Sequence, residues 1–376
     1  MFGTDDPTKL AQLGSYYGEK DEWASCIRIV DPATMGSLHC IELDNNEAAI
    51  CAAIVPFESA PEKGPLLCVG TTKSMKFYPR KTEGNFIRVY AFSEDGKSIS
   101  YLHSTEVDAI PRAMAAFKGK LLAGIGSCVK LFDLGKKRLL RKCEYKMLPA
   151  DVVSLHVYGS RVYVGDSYES VHFMKYKRTE NKFYIFADDS IPRHIVSVCP
   201  LDYDTVAASD KFGNITVLRL PPEMSAAVEE DPTAGKYAGE GSAGAPNRLQ
   251  SVANFFVGET VSSLQRAVMQ PHGKESIIYS TINGAIGALH PLSSRDTVDF
   301  FQHLEMHMRQ EAPPLLGRDH LAFRSSYIPV KDIIDGDLCS QFGRLSYTVQ
   351  RSIAEELARS PTEVVKKIED IANLII

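Results

Sequence analysis

Apolar and polar positions along this 376-residue chain fall into short alternating runs that return in pairs. Residues 121–134 read LLAGIGSCVKLFDL, 161–176 RVYVGDSYESVHFMKY, 205–220 TVAASDKFGNITVLRL and 277–292 IIYSTINGAIGALHPL. An earlier and longer version spans 66–92. Each pattern predicts a buried strand, a turn supplied by Gly, Asp, Ser or Asn, and a second strand of alternating polarity. In several units a third strand follows, at 138–143 and 182–186.

The unit starts at 66, 121, 161, 205 and 277 lie 55, 40, 44 and 72 residues apart. A four-stranded propeller blade takes about 40–45 residues, and insertions explain the longer gaps. A sandwich does not require a similar hairpin at each such interval, whereas a radial array of blades does. The expected fold is therefore mainly β, a seven-bladed-type, WD40-like β-propeller. The WD dipeptide itself is absent; Val164-Gly165-Asp166 and Ser209-Asp210 occupy similar places. Strands at 23–30 and 37–43 bring the total to about six blade-like units, so a seventh blade takes strands from elsewhere and the propeller is expected to be incomplete.

The pattern breaks twice. Residues 221–250 are rich in Gly, Ala, Pro and Glu, and a disordered surface loop is expected there. From 296 the period becomes helical. Residues 296–310 carry apolar side chains at helical spacing up to Pro313-Pro314, and two short helices are expected around Pro329, the second starting at Asp335 or Asp337. Val349, Ile353 and Leu357 mark the apolar face of a further helix. Ser360-Pro361-Thr362-Glu363 is a capping box, and Val364, Ile368, Ile371 and Ile375 form the stripe of the helix it starts. The domain plan is a flexible or linker segment at 1–20, a propeller at 21–295 and a small α-helical C-terminal domain at 296–376.

Charge and cysteine spacing narrow the chemistry. A net charge of -5 gives no general attraction to nucleic acid, although a local basic patch remains compatible with it. None of the eight cysteines lies closer than eleven residues to another, which argues against a structural zinc site and, in a chain this apolar, for reduced thiols. Stretches of ~18 apolar residues are absent, so no membrane span is expected, and the polar start lacks the features of a secretory signal. No nucleophile-elbow or phosphate-loop motif occurs, and no catalytic residue, metal or cofactor is expected.

Three polar clusters stand out. His303 and His307 share a helix face, but Leu304 stands where a zincin has Glu, so they read as structural or surface histidines. Arg318, Asp319, His320 and Arg324 read as ion pairing where the helices meet the propeller, since adjacent helical residues point ~100° apart. Lys136, Lys137 and Arg138, followed by Arg141 and Lys142, form the strongest basic run and read as a charged turn between strands, with phosphate contact as the functional alternative.

Residues 133–146 (DLGKKRLLRKCEYK), 185–221 and 317–342 (GRDHLAFRSSYIPVKDIIDGDLCSQF) closely resemble a family that includes the large cleavage and polyadenylation specificity subunit, damage-specific DNA-binding protein 1 and the third subunits of splicing factor 3b. The runs look most like the splicing branch, and the likeness extends from about Glu22 to the final helix. It implies three propellers and a helical C-terminal domain, of which this sequence matches the third propeller and that domain. It implies a non-enzymatic nuclear scaffold in the U2 particle, partnered by a large helical-repeat subunit and a small ten-kilodalton-class subunit, with RNA contact indirect. The alternatives are direct nucleic-acid binding through the Lys136–Lys142 turn and a ubiquitin-ligase adaptor role as in the DNA-damage relative.

Overall fold

A computed structural model describes residues 21–230, 245–271 and 273–375. The linker expected at 1–20 lies outside them. The chain forms two compact units, one up to Pro192 and the other made of Arg193–Glu230 with the chain from Asn247 onward.

The first unit holds a short ribbon and three antiparallel up-and-down meanders. The ribbon pairs β1 (Cys26–Val30) with β2 (Ser37–Glu42). Ile27, Ile29 and Ile41 on one face of it pack against Val69, Tyr90 and Ile99. The first meander is β3 (Glu47–Pro56), β4 (Pro65–Lys73), β5 (Gly84–Phe92) and β6 (Ile99–Glu106). The second is β7 (Pro111–Phe117), β8 (Lys120–Ile125), β9 (Cys128–Asp133) and β10 (Leu140–Tyr145). The third is β11 (Val152–Tyr158), β12 (Arg161–Asp166), β13 (Val171–Lys177) and β14 (Lys182–Asp188).

Successive meanders stack through their first strands, β3 on β7 and β7 on β11. This stacking buries the second strand on both faces, so every residue of β12 is inaccessible. It also explains two glycines. A Cβ at Gly70 would lie 2.9 Å from Pro111 of the next meander, and one at Gly124 would lie 2.4 Å from Val152. Two apolar layers fill the spaces between meanders, one around Leu66, Ile87, Leu121 and Phe132, the other around Phe117, Leu155, Val164 and Phe183.

The second unit holds two more antiparallel sheets and the helices. β15 (Ile195–Pro200), β16 (Thr205–Asp210), β17 (Asn214–Arg219) and β18 (Gln250–Phe256) form one sheet. β19 (Val261–Val268), β20 (Glu275–Thr281) and β21 (Ile286–Leu289) form the other. Between β17 and β18 runs α1 (Pro222–Glu230). This corrects the expectation of a disordered loop over all of 221–250: Pro222 opens a helix, Val228 is buried, and Ser225 Oγ donates to Asp204 at 2.6 Å. Gln250 already belongs to a strand, and residues 231–244 lie outside the described residues.

Asp166 and Asp210 end the second strands of two successive sheets and do the same work in each unit. Asp210 accepts the backbone N–H groups of Phe212 at 2.8 Å and Asn214 at 3.0 Å, and Asn214 Nδ2 at 2.7 Å. Asp166 accepts Tyr168 N at 2.9 Å and holds His172 Nε2 at 2.7 Å. A buried carboxylate that satisfies turn amides fixes the hairpin geometry.

The helices are α2 (Arg295–Glu311), α3 (His320–Arg324), α4 (Gly336–Ser340), α5 (Tyr347–Glu356) and α6 (Pro361–Ile375). Their core gathers Phe301, Leu304, Leu338, Phe342, Ile353 and Val364. Asp335 caps α4 by accepting Leu338 N at 3.1 Å. Ser360 N donates to Glu363 at 2.7 Å and Glu363 N to Ser360 Oγ at 3.4 Å, a reciprocal capping box ahead of α6. No helix among the described residues is long and apolar enough to cross a membrane.

Candidate interaction surfaces

The first strand of every sheet carries a β-bulge near its start. The register skips one residue between Ala49 and Cys51, between Pro111 and Ala113, and between Val152 and Ser154. It skips again between Ile195 and Ser197 and between Val261 and Ser263. A bulge leaves its extra residue out of the ladder and re-aims the side chain. In the first unit the extra residues are Ile50, Arg112 and Val153, and all three line one cleft of about 360 Å³. Met75, Lys76, Phe77, Arg80 and Ile110 complete it.

The turn between β4 and β5 projects over this cleft. Its tip carries Phe77 and Tyr78, which are 73% and 96% exposed. Trp23 props the turn from below: its Nε1 donates to Met75 O at 2.9 Å, and its ring meets Phe77 edge-on at 5.7 Å. Arg80 and Arg112 share a single carboxylate, Asp151, at 3.4 and 3.3 Å. With Lys76 on the same lining, two cations are therefore in excess at an apolar rim. The sequence reading missed this surface, although an aromatic pair inside a Lys- and Pro-flanked turn is a readable sign of side chains outside the core.

The structure splits the basic run. Lys136, Lys137 and Arg138 are exposed in the turn between β9 and β10 and pair with no carboxylate among the described residues. Arg141 and Lys142 lie on β10 and are paired, Arg141 with Glu144 at 2.9 Å and Lys142 with Asp133 at 3.5 Å. Arg138 also lines a polar cleft of about 580 Å³ with Thr82, Asn85, Glu106 and Asp108.

His320 and Arg324 converge, one helical turn apart, on the buried carboxylate of Asp335, at 3.1 and 2.7 Å. Arg324 Nη1 also donates to Phe256 O at 3.0 Å and Val257 O at 2.9 Å, and its guanidinium stacks 4.7 Å from the Phe255 ring. A single side chain thus ties α3 and α4 to the end of β18. Asp335 N in turn donates to the buried Glu305 at 3.2 Å. Arg318 stands apart, 3.4 Å from Ser326 Oγ, and Asp319 caps α3 through Ala322 N at 3.0 Å. Asp335 and Glu305, the acids that organise this hub, went unnoticed as partners because pairing across the fold leaves no local spacing.

His303 Nδ1 faces Asp299 O at 2.7 Å and His307 Nε2 lies 3.5 Å from Glu356. No group of three or more His, Cys, Asp or Glu side chains suited to a metal ion occurs among the described residues. Burial holds the imidazoles of His103, His156, His290 and His320 below their ordinary range; at His320 the Asp335 charge opposes this and Arg324 reinforces it. The unfolded chain therefore takes up these protons first. Stability present above about pH 6.5 should be lost as pH falls through the lower folded-state values. Urea midpoints measured at about pH 8 and about pH 5.5 check this; equal midpoints would contradict it.

Stacked antiparallel sheets with a bulge in each first strand, together with packed helices, define a mainly β architecture. The chain belongs to the CPSF A subunit region family, whose model matches residues 24–344. It is 52% identical over 375 residues to spliceosome-associated protein 130 A of Arabidopsis thaliana, covering 99% of this chain and 31% of that protein. It is 51% identical over 356 residues to a probable splicing factor 3B subunit 3 of Dictyostelium discoideum, covering 94% of this chain and 28% of that protein. It is 47% identical over 363 residues to splicing factor 3B subunit 3 of Danio rerio, covering 96% and 30%. The chain thus spans about 30% of the length of these relatives.

Proposed function

We propose that this chain is a non-enzymatic scaffold that acts in pre-mRNA splicing in the nucleus, as part of a splicing factor 3b complex. The observation that carries the docking role is the bulge-lined cleft of Ile50, Arg112 and Val153 under the exposed Phe77 and Tyr78. Large aromatic side chains held in water beside an apolar cleft and an arginine have the composition of a protein-binding hot spot. The names of the relatives support the splicing assignment. In this reading the sheets at 21–295 are blades of a WD40-like β-propeller, and 296–376 form a helical C-terminal domain. The partners are other splicing factor 3b subunits, the large helical-repeat subunit and the small ten-kilodalton-class subunit among them.

A stable complex buries roughly 1,200–2,000 Å², so capture should survive washing. The immobilised chain, incubated with nuclear extract, should retain splicing factor 3b subunits identified by mass spectrometry. Recovery of a cullin without splicing subunits would replace this reading with ubiquitin-ligase adaptor work. Recovery of neither would overturn the docking role.

A further inference from the structure

β1 and β2 form a sheet of two strands, with no further strand hydrogen-bonded to either edge among the described residues. The register sets Cys26 opposite Glu42 and Arg28 opposite Cys40. Cys26 and Cys40 are therefore diagonal neighbours on one face, the face away from Ile27, Ile29 and Ile41. Both are free thiols, they hydrogen-bond to one another, and Cys26 is exposed. Cys51 and Cys68 stand in the same diagonal relation across β3 and β4. Those two pack in the core, where burial pushes each thiol up to about 12 and Cys51 Sγ donates to Pro111 O at 3.3 Å. Of the two pairs, the ribbon pair is the one open to a reagent from solution.

The ribbon is laced to the aromatic turn. Ser25 O accepts Leu43 N at 3.0 Å, and Ser25 Oγ accepts Ala49 N at 3.2 Å. Trp23 N donates to Asn46 Oδ1 at 3.1 Å, and Asn46 O accepts Ser74 N at 2.8 Å. Trp23 Nε1 donates to Met75 O at 2.9 Å. A change in how β1 sits on β2 therefore reaches the Phe77–Tyr78 turn through a few short bonds.

We infer that Cys26 and Cys40 form a reversible disulfide that locks the ribbon and, through Trp23, the Phe77–Tyr78 turn. The oxidant is a small disulfide of the glutathione class. The Cys26 thiolate attacks it, forms a mixed disulfide and releases one small thiol. The Cys40 thiolate then attacks Cys26 Sγ and releases the second. Two protein thiols are oxidised, one small disulfide is reduced to two thiols, and the two protons pass to those thiols. Diagonal neighbours start about 7–8 Å apart at Cα, beyond the usual disulfide range of about 4.4–6.8 Å. A ribbon with two unflanked edges can draw together by that difference, and the residual strain makes the bond easy to reduce again. Partial burial and Cys40 hold the Cys26 thiol above its ordinary range; Glu42 adds to this and Arg28 opposes it. The pair therefore answers slow disulfide exchange rather than a brief pulse of peroxide. Any consequence for partner capture rests on the scaffold reading, whereas the bond and its effect on the turn do not.

The purified chain, equilibrated with glutathione disulfide, alkylated and digested, reveals the bond by peptide mass spectrometry. A peptide pair linked through Cys26 and Cys40 should appear, with the remaining cysteines alkylated, and should vanish in excess reduced glutathione. Trp23 is the single tryptophan of the chain, so its fluorescence reports the lacing directly. Oxidation should lower its quenching by acrylamide and slow hydrogen exchange at Ile27, Ile29 and the turn from Met75 to Tyr78. Closing a loop of about 15 residues shifts the opening equilibrium by about 100-fold at most, and strain takes part of that back, so a slowing of about tenfold is expected. Cys40→Ser should trap glutathione on Cys26, and Cys26→Ser should leave the ribbon unmodified; neither should show the fluorescence or exchange response. Glutathione left on Cys26 of the parent chain, with no linked peptide, would overturn the inference. So would a linked peptide with unchanged quenching and unchanged exchange at the turn, or an equal response in the serine variants. No partner is present, so the inference can fail while the scaffold reading stands.

Discussion

Arg324→Met should lower the stability of the second unit by about 3–5 kcal/mol, since removing one partner strands a buried charge. Asp335 is 3% exposed and relies on Arg324 for its strongest contact, at 2.7 Å. The substitution also leaves Phe256 O and Val257 O without their shared donor. Methionine fills similar volume, so the loss reports charge and hydrogen bonding more than a cavity. A second consequence separates this cause from general damage. The Arg324 charge holds the His320 imidazole down, while Asp335 pulls it up. Without Arg324, His320 protonates more readily and takes over part of the pairing. The destabilisation should therefore be larger at about pH 8 than at about pH 5.5, when His320 carries the proton. Asp335→Asn in the same background should recover part of the stability, because the stranded charge is gone while the cap on Leu338 N remains. Urea denaturation of the single and double variants measures all three effects. A loss independent of pH, with no recovery in the double variant, would show that the hub is held by packing alone.

The hairpins read from the sequence at 66–92, 121–134, 161–176, 205–220 and 277–292 are the second and third strands of the five sheets. The clearest of them, β12 and β16, were legible because burial on both faces demands near-continuous apolar runs. The first strands were not singled out. Their bulges interrupt the alternation that marks a strand, as Ile50 does in β3 and Arg112 in β7. Last strands such as β10, with LRKCEY half in solvent, carry weaker patterning still. Helix caps at Asp335 and Ser360 were readable because they act over three residues. The partners of Arg324 were not, because Phe255, Phe256 and Asp335 reach it from separate parts of the chain. The α1 helix was hidden by its surroundings: low-complexity sequence follows it, and tertiary contacts, among them those of Ser225, Val228 and Glu229, hold it.

Tyr78→Ala and Phe77→Ala should each weaken capture of splicing factor 3b subunits by about 2 kcal/mol, which is about thirty-fold apiece. The two side chains separate binding from folding because they are placed differently. Tyr78 is 96% exposed, so removing its ring should leave stability within about 0.5 kcal/mol. Phe77 meets Trp23 edge-on, and its loss should cost the turn about 1 kcal/mol. A scaffold whose anchor is this turn must therefore lose affinity in Tyr78→Ala without losing stability. Arg112→Ala should act between these cases. It removes a bulge-directed cation from the cleft but also frees Asp151, which Arg80 still holds at 3.4 Å. Quantitative capture across a dilution series, read beside thermal melting, distinguishes the three. Undiminished capture by Tyr78→Ala would move the anchor elsewhere and leave the exposed aromatic turn without a binding role. Lost capture with unchanged melting ties the repeated bulge to function, because it is the bulge that turns Ile50, Arg112 and Val153 out of the ladder and into the cleft that Phe77, next to Tyr78 in the turn, also lines.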